Sequence, residues 1–384
     1  MVKVNPHYKR TKKPYIFGLI EEKLNAVQKA HPKTQVLNLG VGDITRPLSQ
    51  SIVKAVMKGV AEMGERPIGY GSPFGYPFLR EAITKNEYHK YGISPVEIFI
   101  SDGTKSDSSY IQTLFCQSCS VGITDPTYPT YLDTSLMAGR TEIHMLPCNA
   151  ENGFIPSPPD FPIDIIYLCT PNNPTGVALP RPALQKWVDY AHENKSILLI
   201  DAAYESFITS IDTPRSIYEI EGSKQVAIEM RTFSKTSGFT GLRCAYTVIP
   251  KETDLIPLWE KRQNATTNGV SYPIQRGAEA ALSPLGASET ALDISQYKRS
   301  ASILREGLLE LKEEVYGGIN APYLFWKTPE GKTSWEFFDI LLNEAQIVTI
   351  PGSSFGVEGE GYVRLSSFLC EETAQKALFR IRNL

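Results

Sequence analysis

The stretch TFSKTSGFTGLR, residues 232–243, places one lysine, Lys235, among small hydroxyl and glycine residues, with Arg243 eight positions later. Strand-like runs at 225–229 and 244–249 flank it, which predicts a loop between two buried strands. A lysine held there can be partly desolvated, which suits covalent chemistry. Nearby hydroxyls, backbone N–H groups and Arg243 can bind a phosphate. Together they indicate pyridoxal phosphate (PLP), whose aldehyde forms a Schiff base with lysine. Taken alone, the stretch also fits a surface lysine in a polar loop.

Composition excludes several other classes of protein. The chain has 384 residues, 42% hydrophobic and 21% charged, as in a soluble globular protein with two domains or one elaborated domain. The net charge of −3 implies no nucleic-acid partner, and no apolar run is long enough for a membrane helix. The six cysteines include a lone C-x-x-C at 116–119, without the second pair that a structural zinc site needs. We therefore predict no metal, no membrane association and a cytoplasmic protein with reduced thiols, since a signal peptide is also missing.

Strands and helices alternate from residue 97 to residue 249, which predicts an α/β fold with a mostly parallel, doubly wound sheet. Open sheets of this kind bind ligands at the carboxyl ends of their strands. Four predicted strands end beside candidate ligand-binding residues. These are the turn at 103–105, Tyr128, Asn173 and Asp201.

Each of these positions has a chemical reason to contact a phosphorylated ring. The turn at 103–105 begins a predicted helix, and free N–H groups at a helix start bind anions. Tyr128 lies between two prolines and is rigid enough to stack on a ring, although it could equally pack at a domain corner. A buried Asp201 needs a positive partner, unless it caps a helix.

The domain organisation follows from where the alternation stops. Helical patterns cover 253–283 and 290–315, and the tail then mixes short strands with two helices, which predicts an α+β unit. Near the amino terminus, a predicted strand at 36–39 ends in a glycine-rich corner. We divide the chain into an arm with part of the small domain, residues 1–45, a large PLP-binding domain, 46–283, and a small C-terminal α+β domain, 284–384.

These motifs together resemble those of the fold-type I PLP-dependent aminotransferases of class I/II. The matches are PNNPTG at 171–176, Asp201 followed by Tyr204, the pair at 234–235, Arg243, and GYVR ending at Arg364. Their order and spacing agree with the family over essentially the whole chain. The resemblance implies the fold-type I architecture, with a large domain and a smaller domain built from both termini.

The resemblance also implies a role for each matched residue. Lys235 would form the Schiff base and then move a proton between substrate and cofactor, which requires cationic surroundings that lower its pKa. Asp201 would keep the pyridine nitrogen protonated, and Arg364 would bind the substrate α-carboxylate. The other cofactor contacts would be Asn173 and Tyr204 at the phenolic oxygen, Tyr128 on the ring face, and Gly103, Thr104, Lys105, Thr232, Ser234 and Arg243 around the phosphate.

Within this superfamily the chain is most similar to the LL-diaminopimelate aminotransferase family. The supporting stretches include KPYIF at 13–17, NLGVGDITRP at 38–47, GYG at 69–71, ISDGTK at 100–105 and TTNG at 266–269. The resemblance implies amino exchange between LL-2,6-diaminopimelate and 2-oxoglutarate, forming tetrahydrodipicolinate and glutamate, with the reverse direction biosynthetic for lysine and peptidoglycan. It implies substrate contacts from Tyr15, Gly42, Lys105, Tyr128 and Asn173. It also implies that Tyr70 and Asn268 reach the cofactor and substrate of a neighbouring subunit, in a homodimer with shared active sites.

The chain departs from that family at three places. Residues 72–74 read Ser-Pro-Phe where the family often has a glutamate. Residues 244–246 read Cys-Ala-Tyr where the family usually has a glycine-tryptophan pair, and Thr104 stands where the family has an alanine. A carboxylate in the first loop could recognise a distal amine, so its absence keeps the specificity open. An aromatic or aspartate aminotransferase and a PLP β-lyase would use the same ring-binding residues and stay as alternatives. A non-enzymatic regulatory protein is disfavoured because Lys235 is present.

Overall fold

The computed structural model describes residues 2–11, 16–30, 32 and 35–384. Tyr15, a predicted substrate contact, lies outside the described residues. The α-helices are Ile16–Ala30 (α1), Gln50–Glu65 (α2), Pro77–Ile83 (α3), Thr104–Tyr110 (α4), Thr130–Met137 (α5), Arg181–Asn194 (α6), Phe233–Thr236 (α7), Ile256–Thr266 (α8), Tyr272–Ala281 (α9), Pro284–Glu310 (α10), Ser334–Asn343 (α11) and Glu371–Ile381 (α12). The β-strands are Leu37–Asn38 (β1), Ile98–Ser101 (β2), Val121–Asp125 (β3), Ile143–Pro147 (β4), Ile165–Cys169 (β5), Ile197–Asp201 (β6), Ala227–Thr232 (β7), Ala245–Val248 (β8), Val315–Gly317 (β9), Tyr323–Lys327 (β10), Ile347–Val348 (β11), Ile350–Pro351 (β12) and Tyr362–Ser366 (β13).

Seven strands form the central sheet in the order β2-β8-β7-β6-β5-β3-β4. Strand β8 is antiparallel to both of its neighbours, and the other pairs are parallel. The sheet is covered on both faces, because Leu198 of β6 packs in one buried cluster with Trp187, while the next residue, Leu199, packs in another with Trp259. Burial on both faces explains the continuous apolar runs of these strands. The predicted α/β fold with a mostly parallel, doubly wound sheet is confirmed.

A second layer of structure comes from both ends of the chain. Strands β12, β13, β10 and β9 form an antiparallel sheet, and β1 pairs in parallel with β11. Leu37 and Leu39 share a buried cluster with Leu304 of α10 and Leu341 of α11. This packing supports a small domain built from both termini, and we keep the boundaries at 45/46 and 283/284 as a proposal. No helix of the described ranges is long and apolar enough to cross a membrane.

Four local elements differ from the sequence predictions. Lys235 lies on the one-turn helix α7 rather than on a loop, because the Thr232 hydroxyl caps that helix by accepting from the Ser234 N–H at 3.0 Å. The helical pattern after the turn at 103–105 was predicted at residues 110–115, whereas α4 spans Thr104–Tyr110 and a 3₁₀ turn follows at Ile111–Leu114. Helix α10 begins where a break was predicted, since a proline at its first position is compatible with a helix. Strand β4 was not predicted, because only one of its five residues is buried.

Candidate active site

A cavity of about 380 Å³ lies at the carboxyl ends of β3, β5, β6 and β7, where they face strands β10 and β13 of the antiparallel sheet. Predicted site residues from distant parts of the chain meet in its wall. These are Gly42, Gly103, Thr104, Lys105, Tyr128, Asn173, Asp201, Tyr204, Thr232, Ser234, Lys235, Arg243 and Arg364. Tyr70 and Asn268 are not part of this wall, and both are exposed, Tyr70 to 88%.

Lys235 projects from α7 into this cavity, where its ammonium group donates to the backbone oxygen of Gly42. Burial is the main cause that lowers the pKa of Lys235 from its usual value to about 8, against the opposing effect of Asp43. The guanidinium groups of Arg364 and Arg243 lower the pKa further. We expected cationic surroundings to be the cause. The structure shows that they contribute less than desolvation does.

Asp201, at the end of β6, is a buried carboxylate without a cationic partner among the described residues. Its Oδ2 accepts from the Tyr131 hydroxyl at 2.6 Å, and its Oδ1 accepts from the Ala203 N–H at 3.1 Å. Burial raises the pKa of Asp201, and these two hydrogen bonds only partly oppose that effect. A protonated ring nitrogen would provide the missing positive charge, so this carboxylate fits the pyridine nitrogen of PLP.

The candidate phosphate cradle consists of α7, Arg243 and the first turn of α4. Arg243 donates to the Ser234 hydroxyl at 3.4 Å and to the Thr240 oxygen at 2.9 Å. A Cβ atom on Gly103 would come 2.5 Å from a guanidinium nitrogen of Arg243, so glycine is what lets this arginine approach α4. The first N–H groups of a helix have no partner within it, so they can bind phosphate oxygens beside Arg243.

Arg364 of β13 is a buried guanidinium that forms no ion pair with any described residue. It is 3% exposed and donates to Asn173 Oδ1 at 2.7 Å and to the Gly40 oxygen, while its Nε has no hydrogen-bond partner. Its guanidinium also lies 4.5 Å from the ring centroid of Tyr323. A buried arginine is costly without a counter-charge, so this site fits a substrate carboxylate.

The remaining predicted residues lie at the margins of the same cavity. Lys105 is exposed at the rim. Tyr128 is half-buried, and its ring meets that of Tyr131 edge-on at 5.8 Å. Asn173 is oriented by Arg364, which leaves its amide nitrogen available to a ligand. The wall therefore offers cationic, aromatic and amide groups around a space of suitable size for PLP and an amino acid.

Seven lining residues were missed at the sequence level: Val41, Asp43, Tyr131, Cys169, Ala203, Thr240 and Tyr323. Tyr131 could have been found, because it follows Tyr128 by three residues at a turn, where its N–H donates to the Tyr128 oxygen at 3.3 Å. Tyr323 has no such signal. It begins β10 inside an apolar run that is typical of a core strand.

The sheet topology, the lysine after β7 and the buried carboxylate after β6 are those of a fold-type I PLP enzyme. The chain belongs to the aminotransferase class I and II family, whose model matches residues 34–381. It is accordingly an aminotransferase that depends on pyridoxal phosphate.

Proteins named LL-diaminopimelate aminotransferase are similar to this chain over its whole length. The one from Bacteroides fragilis is 47% identical, with 100% of both chains covered. The one from Methanosphaera stadtmanae is 45% identical, with 100% of this chain and 99% of the relative covered. The solved structure of the L,L-diaminopimelate aminotransferase from Chlamydomonas reinhardtii has a TM-score of 0.94 at 39% identity, covering 100% of this chain and 98% of that one. The predicted resemblance is confirmed.

Proposed function

We propose that this enzyme exchanges an amino group between LL-2,6-diaminopimelate and 2-oxoglutarate, forming tetrahydrodipicolinate and glutamate. In the reverse direction it would supply lysine and peptidoglycan synthesis. The observation that carries this proposal is the full-length similarity, at 45% and 47% identity, to proteins named for that activity. The buried Arg364 supports it, because each of these substrates has a carboxylate beside the reacting carbon.

The cavity residues can divide the tasks of the reaction. When bound, PLP supplies an electron sink for the charge that develops at the substrate carbon. The amine of Lys235 would take the proton from that carbon and deliver it to the cofactor, and a pKa of about 8 keeps a usable neutral fraction near neutral pH. Asp201 holds positive charge at the ring nitrogen. Arg364 fixes the substrate carboxylate, so that the reacting carbon stays near Lys235.

The loop at 72–74 is where the family would recognise the distal end of the substrate. The loop at 72–74 has no carboxylate, and the Phe74 ring packs edge-on against Phe99 at 5.8 Å. The Phe74 oxygen also accepts from the Ile100 N–H at 3.0 Å, which ties the loop to β2. Without a negative charge in this loop, we expect weaker discrimination for a distal ammonium group.

A transamination assay with the purified holoenzyme tests the proposal. LL-diaminopimelate, meso-diaminopimelate, aspartate and tyrosine are offered separately with 2-oxoglutarate, and the glutamate formed is measured. We expect kcat/KM to be highest for LL-diaminopimelate, with a preference over the meso isomer of about tenfold or less, because one lost polar contact is worth roughly that factor.

Each other outcome identifies a different enzyme. Turnover of aspartate or tyrosine alone would contradict the proposed substrate and favour an aspartate or aromatic aminotransferase. Release of pyruvate and ammonia from a sulfur amino acid, without glutamate, would favour a β-lyase. The same assay with the Arg364→Lys variant is the control, since loss of the bidentate contact should raise KM for every amino donor.

We further propose a homodimer with shared sites. Tyr70 and Asn268 are exposed and lie outside the cavity wall of their own chain, and Met57 and Val60 leave an apolar face on α2 uncovered. Sedimentation of the holoenzyme should give twice the chain mass, and a fully active monomer would contradict this proposal.

We also keep the prediction of a cytoplasmic enzyme, which the six free cysteines support. Recovery of the activity in a secreted or membrane fraction would contradict it.

A further inference from the structure

Tyr323 contacts three of the groups that form the candidate site. Its hydroxyl lies 2.9 Å from the Tyr204 hydroxyl, and its ring faces the guanidinium of Arg364 at 4.5 Å. A Cβ atom on Gly42 would collide with the same hydroxyl, so the backbone beside Lys235 is shaped around Tyr323. The side chain is 1% exposed and lines the cavity.

The direction of the hydrogen bond between the two tyrosines follows from their surroundings. Burial raises the pKa of Tyr204 well above its ordinary value, and the neighbouring Tyr323 raises it further. Burial also raises the pKa of Tyr323, but Arg364 and the hydrogen bond with Tyr204 oppose that increase. Both hydroxyls therefore keep their protons, and Tyr204 has only one proton to give, which its proposed cofactor role uses at the phenolic oxygen of PLP. Tyr204 then accepts from Tyr323 and keeps its own proton for a third group.

We propose that Tyr323 is a positioning residue that donates to Tyr204 and so fixes the Tyr204 hydroxyl as the donor to the phenolic oxygen of PLP. The inference rests on the cofactor role proposed for Tyr204, but not on which amino donor is used. Chained hydrogen bonds polarise one another, so the donation from Tyr323 strengthens the bond that Tyr204 makes. A stronger bond stabilises negative charge on the phenolic oxygen and lowers the pKa of the nitrogen that joins PLP to Lys235.

Packing alone does not explain a tyrosine at this position. The ring lies in a buried cluster with Phe207, Tyr297 and Phe368, where a phenylalanine would fill nearly the same volume. A hydroxyl buried there costs stability unless it is hydrogen-bonded, and its partner is Tyr204. The bond also joins the loop after β6 to the first residue of β10, and thus links the two sheets.

The test is the Tyr323→Phe holoenzyme, which loses the hydroxyl and keeps the ring beneath Arg364. We expect the pH midpoint of the visible absorbance change of the resting holoenzyme to rise by about half a unit, as fits the loss of one weak indirect hydrogen bond. KM for the amino donor should change less than about twofold, because the ring contact with Arg364 persists. Tyr297→Phe is the matched control: that hydroxyl bonds the N–H groups of Thr45 and Arg46 in the same cluster, and its loss should leave the midpoint in place.

A double-mutant cycle separates this inference from the role of Tyr204. In the Tyr204→Phe background, Tyr323→Phe should cause no further shift, because Tyr323 acts through the lost hydroxyl. The inference would be overturned if Tyr323→Phe shifted the pH midpoint equally with and without the Tyr204 hydroxyl. An unshifted midpoint in Tyr323→Phe alone would also overturn it. A Tyr323→Phe chain that fails to fold or to bind PLP would also overturn it, since the hydroxyl would then serve the fold. An unshifted midpoint in Tyr204→Phe alone would instead remove the role proposed for Tyr204.

Discussion

Replacing Lys235 with alanine is expected to abolish multiple turnover, with kcat reduced by about four orders of magnitude or more. The physical reason is that the variant loses both the covalent attachment of PLP and the amine that moves the proton. The other lysine of the cavity wall, Lys105, is exposed at the rim and does not replace the amine of Lys235. The phosphate cradle keeps Arg243 and Gly103, so the variant should still bind PLP, but loosely.

Two measurements make this result specific. Borohydride reduction of the native holoenzyme should attach the cofactor to the peptide that contains Lys235, and the variant should yield no labelled peptide. Lys186→Ala, which removes an exposed lysine of α6, is the control and should keep full activity and labelling. Appreciable multiple turnover by the Lys235 variant, or a label on another lysine, would contradict the assignment.

The candidate residues that sequence reasoning identified share a property of parallel sheets. Asn173, Asp201 and Lys235 each follow an apolar strand, and the carboxyl ends of parallel strands meet at one edge. A local pattern was therefore enough to bring these three together before any coordinates. The same argument gave the fold, because the apolar runs mark strands that are buried on both faces.

Features that depend on contact between the central sheet and the antiparallel sheet of β12, β13, β10 and β9 were not predictable in this way. Tyr323 and Tyr204 are 119 residues apart and meet only because β10 packs against the end of β6. The pKa of Lys235 illustrates the same limit, because the sequence indicated only that this lysine can be partly desolvated, while the extent depends on the groups that the fold packs around its amine. Contacts between residues that are far apart in the sequence arise only in the assembled structure, so a local pattern does not predict them.

Replacing Asp201 with asparagine should reduce kcat by about three orders of magnitude and change PLP affinity much less. An asparagine keeps the shape of the side chain and can still accept from Tyr131, but it has no negative charge to hold a proton on the ring nitrogen. PLP affinity depends mainly on the phosphate cradle, which this change does not touch. Asp164→Asn is the matched control: Asp164 accepts from Ser120 just before β5, outside the cavity wall, and its loss should leave kcat unchanged.

The melting temperature of the apoenzyme gives a second measurement, and we expect Asp201→Asn to leave it unchanged or raise it although kcat falls. Burial raises the pKa of Asp201 in the folded state. The ionised carboxylate therefore destabilises the fold once the pH exceeds the pKa that Asp201 has in the unfolded chain. Asparagine removes this penalty, so near neutral pH the apo variant should melt at the same temperature as the native apoenzyme or higher. A crippled kcat with an undiminished apoenzyme Tm would place the defect in the chemistry rather than in the fold. A near-normal kcat would remove the electrostatic role of Asp201, and a large fall in Tm would instead show that its carboxylate serves the structure.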